Sequence, residues 1–143
     1  MKTATLLLSA AVATALTGNA VAQEAKPASA LTLELNGAQP SDKGCRFTFV
    51  VTNDLGASLT KAAFEIALFN DAGVVDRLTV LDFKDLPAGK TKVARFDLSA
   101  LDCSKVSRVL VNSATECVGD GIAPTACLGQ LKTAAKAPIS FGQ

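Results

Sequence analysis

The strongest constraint on the fold lies in residues 62–83, AAFEIALFNDAGVVDRLTVLDF. Two apolar-rich runs flank Asn70-Asp71-Ala72-Gly73. Asn and Gly tolerate the positive backbone angles of a tight connection, so the stretch predicts a β-hairpin. Phe64, Ile66 and Leu68 share one face of its first strand, and Ala63, Glu65 and Ala67 the other. Ala, Glu and Leu are good helix formers, and Leu59, Ala63, Ile66 and Ala67 would partly suit a helix face. The turn and its β-branched partner decide for strand. In that partner, Leu78, Val80, Leu81 and Phe83 are apolar on both faces. This predicts a strand covered on both sides, or one bent at a bulge.

Similar runs recur at short intervals. Leu31, Leu33 and Leu35 alternate with Thr32 and Glu34. Cys45, Phe47, Phe49 and Val51 form the inward face of a second strand, and Ala94, Phe96 and Leu98 that of another. Residues 106–111 make the last clear strand. Turn-forming stretches separate them at 36–44, 53–56 and 86–90. The expected fold is all-β, a small antiparallel immunoglobulin-like β-sandwich of about six to seven strands. Its domain spans residues 31–115. Residues 116–143 form a loop and a tail with little pattern, expected to pack loosely.

The chain begins with Lys2, an apolar run over 6–16 and the small-x-small Ala20-Val21-Ala22. That is the pattern of a cleaved signal peptide over 1–22, and the run is too short for a transmembrane helix. Residues 23–30, with Pro27, read as a flexible lead-in. The expected product is periplasmic or secreted, with no stable membrane anchor. Removal of 22 of the 143 residues leaves 121, enough for one buried core. It also leaves 13 basic and 13 acidic side chains, with no run of either sign. Nucleic acid is therefore not an expected partner.

Four cysteines, Cys45, Cys103, Cys117 and Cys127, suit two disulfides in an exported chain. Closely spaced ligand pairs for an all-cysteine zinc site are missing. Alternating strand directions place Cys103 at the same end of the sandwich as Cys45, and Cys117 and Cys127 at the other. The favoured pairing of the three possible is Cys45–Cys103 and Cys117–Cys127. Non-reducing peptide mapping checks it, and a Cys45–Cys117 linked peptide would contradict those directions.

The runs FTFVVTN over 47–53 and FEIALFNDAG over 64–73, with Leu86-Pro87-Ala88-Gly89 and Phe96, resemble a group of uncharacterised exported alphaproteobacterial β-sandwich proteins. The middle portion also resembles FxLYD-type immunoglobulin-like domains. Ile66-Ala67-Leu68-Phe69-Asn70 stands where that family has an aromatic-x-Leu-Tyr-Asp run, with Ile66, Phe69 and Asn70 as departures. The resemblance covers residues 31–112 and carries over framework positions alone.

With no His in the chain, Ser-His-Asp and Cys-His arrangements are excluded. Ser58-Leu59-Thr60-Lys61 fits a Ser-x-x-Lys pattern, and Lys90-Thr91-Lys92 loosely echoes Lys-Thr-Gly. A solvated loop Ser and Lys is the simpler reading, because the accompanying Ser-Asp-Asn element is missing. Asp71, Asp76, Asp82 and Asp85 cluster near the hairpin without EF-hand spacing, as edge and turn charges would. The Phe residues read as core. Residues 118–126, closed by a Cys117–Cys127 bond, form a constrained loop of the kind that presents binding residues. No cofactor is expected. The expected role is a non-enzymatic binding or accessory domain with a periplasmic or envelope protein as partner, and an exposed sheet edge is one route to such pairing. The alternative is a small periplasmic hydrolase using only carboxylate, Lys or Ser side chains.

Overall fold

The computed structural model describes residue 25 and residues 28–143. The leader expected over 1–22 and most of the lead-in lie outside the described residues. Among the described residues, eight strands form two four-stranded sheets. They are β1 (Ala30–Pro40), β2 (Gly44–Asp54), β3 (Leu59–Asn70), β4 (Val75–Leu86), β5 (Thr91–Ser99), β6 (Val106–Val118), β7 (Leu131–Ala135) and β8 (Ser140–Gly142). A 3-10 turn, Cys103–Lys105, precedes β6, and a one-turn helix α1 (Ala126–Gly129) precedes β7.

The sheets run β5-β2-β1-β7 and β4-β3-β6-β8. The first six strands pair antiparallel within each sheet, in the immunoglobulin-like manner expected. Two features differ from the expectation. The strand count is eight, and β7 and β8 pair parallel with β1 and β6, so both sheets are mixed.

Those two strands come from the tail, which extends the sandwich well beyond residue 115. Leu131 and Ile139 are buried, and the Phe141 ring lies 5.6 Å from that of Phe49. The tail lacks a period-two pattern because each strand is too short to display one. It also crosses from one sheet to the other between residues 135 and 140. A few well-spaced apolar anchors hold it instead.

The core follows from the alternation. Leu31, Leu33 and Leu35 of β1, and Phe47, Phe49 and Val51 of β2, meet Phe64, Ile66 and Leu68 of β3 and Leu81 and Phe83 of β4. Phe49, Phe64, Phe83 and Phe96 stack edge to face with centroids 5.0–6.0 Å apart, the geometry favoured by the ring quadrupoles.

The hairpin turn is built by Asn70. Its Oδ1 accepts from the Ala72 and Val74 amides, and its carbonyl accepts from Gly73 N–H. Gly73 sits at φ 74°, where a side chain would be strained. At the other end of the hairpin, Asn53 is the one buried polar side chain among the described residues. Its amide donates to the Ala57 and Leu86 carbonyls, and its Oδ1 accepts from Leu55 N–H.

Disulfides join Cys45 to Cys103 and Cys117 to Cys127, with Cα–Cα distances of 5.1 and 5.9 Å. That is the pairing favoured by the strand directions. The first bond ties the start of β2 to the 3-10 turn. The second ties the end of β6 to α1.

Candidate functional site

The two outer faces of the sandwich differ in chemistry. On the β2-β5 side, Thr52 and Thr91 face each other with hydroxyls 2.9 Å apart, and Arg46 binds Asp97 through two bonds of 3.0 and 3.1 Å. The pair holds the Asp97 carboxyl below its ordinary range and the Arg46 guanidinium above its own, chiefly through the hydrogen bonds between them. Among the described residues, Val93 is the one strongly exposed large aliphatic side chain on this sheet, at 57%.

The outer face of β4-β3-β6 is apolar along its middle. Register places Ala67 between Leu78 of β4 and Leu110 of β6. Ala67 is buried, Leu110 half-buried, and Leu78 56% exposed. Val80, next on the same face of β4, is 51% exposed, and Val74 and Val75 at the turn are 59% and 49% exposed. Of the two sequence-based expectations for β4, cover on both faces is corrected, whereas a bulge is present, at the register breaks between Asp82 and Lys84 and between Val75 and Arg77. β4 is the edge strand of its sheet, and its second apolar face meets solvent.

Polar groups frame this strip. At the turn end, the Arg108 guanidinium sits over the Phe69 ring, 5.2 Å from its centroid. Asn112 donates to Glu65 Oε1 at 2.6 Å. At the far end, Lys61 lies 3.6 Å from Glu116 and Lys84 2.5 Å from Asp82. Asp82 also accepts from Lys84 N–H, and Lys84 adopts φ 64° at a break in the β3–β4 register. The Lys84 ammonium holds the Asp82 carboxyl below its usual range, first through their side-chain hydrogen bond.

The other candidate groups do not converge. Ser58 Oγ accepts from Ala88 N–H, whereas Lys61 faces Glu116, so the Ser-x-x-Lys pair is directed to separate partners. Lys92 Nζ donates to the Phe83 and Asp85 carbonyls, and Thr91 faces Thr52. Of the acids, Asp71 lies 3.7 Å from Lys105, Asp85 3.7 Å from Lys92, and Asp82 beside Lys84. Asp76 lines a cleft of about 200 Å³ with Asp102 and Lys105. Asp102 there caps the 3-10 turn through Ser104, which lowers its pKa. Among the described residues, no group of three or more acidic, Cys or His side chains is placed to hold a metal ion.

The loop over 118–126 is tied at its base by the Cys117–Cys127 bond and is largely exposed, with Val118, Asp120, Gly121, Ala123, Pro124 and Thr125 at the surface. Gly119 approaches the Ser58 carbonyl so closely that a Cβ would lie 2.3 Å from it. Cys117 Sγ contacts the Ala123 carbonyl at 3.8 Å. Beside the loop, Pro124, Thr125 and Leu128 line one wall of a shallow apolar groove of about 520 Å³, with Ser113 and Ala114 of β6 opposite. Among the described residues no helix is long and apolar enough to cross a membrane.

No family model matches the chain, and searches of curated proteins and of solved structures find nothing similar to it.

The surface strip was partly visible in the sequence, because Leu78 and Val80 have the opposite parity to Leu81 and Phe83. What the sequence lacks is the edge position of β4, which decides whether a second apolar face is covered.

Proposed function

We propose that the chain is a non-enzymatic exported domain that acts by binding, with the outer face of β4-β3-β6 as its contact surface. The observation that carries this reading is the asymmetry of the sandwich. One outer face carries Thr, Arg and Asp around the single Val50–Val93 pair, while the other exposes Leu78 and Val80 beside Ala67 and Leu110. Exposed aliphatic side chains gathered on one face lose contact with water when a partner covers them, a gain of about 25 cal/mol per Å². The flanking Arg108 and the Lys61–Glu116 and Lys84–Asp82 pairs supply a polar rim of the kind that surrounds an apolar interface centre.

Two disulfides fit an oxidising, non-cytoplasmic setting, and the leader pattern over 1–22 supports export to the periplasm or beyond. A periplasmic or envelope protein is the partner this reading implies. The framework resemblance to FxLYD-type domains is compatible with a binding scaffold. The hydrolase alternative gains no support from the site geometry, since Ser58, Lys61 and the hairpin acids engage separate neighbours.

A photo-crosslinking residue at Leu110 tests the reading against one at Thr48 on the opposite face. Expected is a discrete protein adduct in the envelope fraction from position 110 only, lost when Leu78 and Val80 are both changed to Lys. Equal labelling from the two faces, or none from position 110, would overturn it.

A further inference from the structure

We infer that the Cys45–Cys103 bond exchanges with external thiols at Cys103, through a cleft that admits an uncharged or cationic thiol. This goes beyond the binding reading and does not depend on it.

The four cysteines differ in access. Cys45 and Cys127 are fully buried, and Cys117 is 8% exposed. Cys103 is half-buried and lines a surface cleft of about 380 Å³. The fold explains the opening. β7 covers the edge of β1 only as far as Leu35, and β8 pairs with β6 only from Arg108 onward. Residues 36–40 of β1 and 106–107 of β6 therefore have no strand on that side. Ala38 and Pro40 of β1, with Val106 and Ile139, line the gap that results, and Cys103 forms part of its wall. The groove beside the other bond is lined by Ala114, Pro124 and Leu128, but by neither Cys117 nor Cys127. Of the two bonds, the one closing the longer loop is thus the one a reagent reaches.

Thiol–disulfide exchange proceeds by attack of a thiolate on one sulfur, so access decides which bond reacts and at which end. The incoming thiolate bonds to Cys103 Sγ as the bond to Cys45 Sγ breaks. Cys45 leaves as a thiolate and takes a proton from water. A second external thiolate then attacks the incoming sulfur and releases Cys103 as a thiolate. One external disulfide is formed and one protein disulfide reduced, and the same steps in reverse close the bond. The cleft walls are largely apolar, and Asp102 is the one charged residue in the lining among the described residues. Lys105 of the same turn lies 3.7 Å from Asp71 and is not part of that lining. A carboxylate beside Cys103 repels an anionic thiol and favours a neutral or cationic one.

The test exposes the folded protein to cysteamine, blocks free thiols at intervals and maps them by mass spectrometry. Expected is opening of Cys45–Cys103 about tenfold faster, or more, than of Cys117–Cys127. Cystamine, the corresponding disulfide, should form a mixed disulfide at Cys103 of the Cys45→Ala variant and leave Cys45 of the Cys103→Ser variant unmodified. With 2-mercaptoethanesulfonate at equal thiolate concentration, opening should be about threefold slower than with cysteamine. Asp102→Asn keeps a side-chain acceptor for the Ser104 amide and should remove that difference. Equal opening of the two bonds, or earlier opening of Cys117–Cys127, overturns the inference on the unmodified protein alone. Labelling of Cys45 as readily as Cys103 overturns the point of attack. An anionic thiol as fast as cysteamine overturns the choice of thiol.

Discussion

The side-chain amide of Asn53 donates to the main-chain carbonyl of Leu86 at 2.8 Å, joining the end of β2 in one sheet to the end of β4 in the other. The same side chain holds the β2–β3 loop through Ala57 and Leu55, and its backbone exchanges hydrogen bonds with Gly89 and Lys90 in the β4–β5 turn. One residue thus closes an entire end of the sandwich. Replacing it with Ala leaves the Leu86 carbonyl without that donor in a buried setting. Asn53→Ala should cost about 2–4 kcal/mol, from lost hydrogen bonds and unsatisfied partners. Urea denaturation checks it, and a loss below about 1 kcal/mol would show that water replaces the amide.

The disulfides should differ in weight. In the chain-entropy model, a bond closing 58 residues stabilises by about 4 kcal/mol and one closing 10 by about 3. Paired Cys→Ala changes at Cys45 and Cys103 should therefore lower the melting temperature more than those at Cys117 and Cys127. Calorimetry of the two double variants reads the order directly.

The tail makes a further prediction. Phe141 packs edge to face with Phe49 although it lies close to the chain end. Phe141→Ala should destabilise the whole sandwich by about 2–3 kcal/mol, rather than merely fray the terminus, because it opens a cavity against a fully buried ring. An unchanged unfolding midpoint would show that β8 is dispensable.

Acid should weaken the β2–β5 pair. Hydrogen bonds from Arg46 lower the Asp97 carboxyl pKa in the folded chain below its unfolded value. A carboxyl of that kind stabilises above the unfolded pKa, near about 4, and the increment is lost as pH falls through the lower folded value. Asp97→Asn should thus reduce stability at neutral pH by a small amount, as for exposed ion pairs, and flatten the acid limb of the stability curve below about pH 4. Chemical denaturation from strongly acidic to neutral pH compares the two proteins. Parallel curves would show that the pair adds nothing to folding.

The parts of this fold that sequence revealed are those where one residue's neighbours in the chain carry the information. The leucines of β1, the Cys45–Val51 face and the Asn70–Gly73 turn declare themselves by period and turn chemistry. Cysteine pairing followed from strand direction alone. The rest depended on non-local placement. Ala63 and Ala67 are buried on an outward face only because β3 is flanked on both sides, and Leu78 is exposed only because β4 is flanked on one. Asn53 looked like an ordinary turn residue, since its partners at Leu86 and Lys90 lie far along the chain. The tail strands are three and five residues long, too short to signal. Of the candidate surface, the apolar character was legible and its exposure was not.

The position of β7 and β8 also sets an order of events. β7 lies beside β1, with Leu131 opposite Leu31, so the first strand and the penultimate one complete each other across most of the chain. Contacts of such long sequence separation form slowly, and a chain made from its N-terminus cannot form them until residues 131–142 have been made. Until then β1 and β6 remain open edges. Closure of the sandwich is therefore a late step, and a chain released before β7 and β8 are made would be an aggregation-prone species with two open edges.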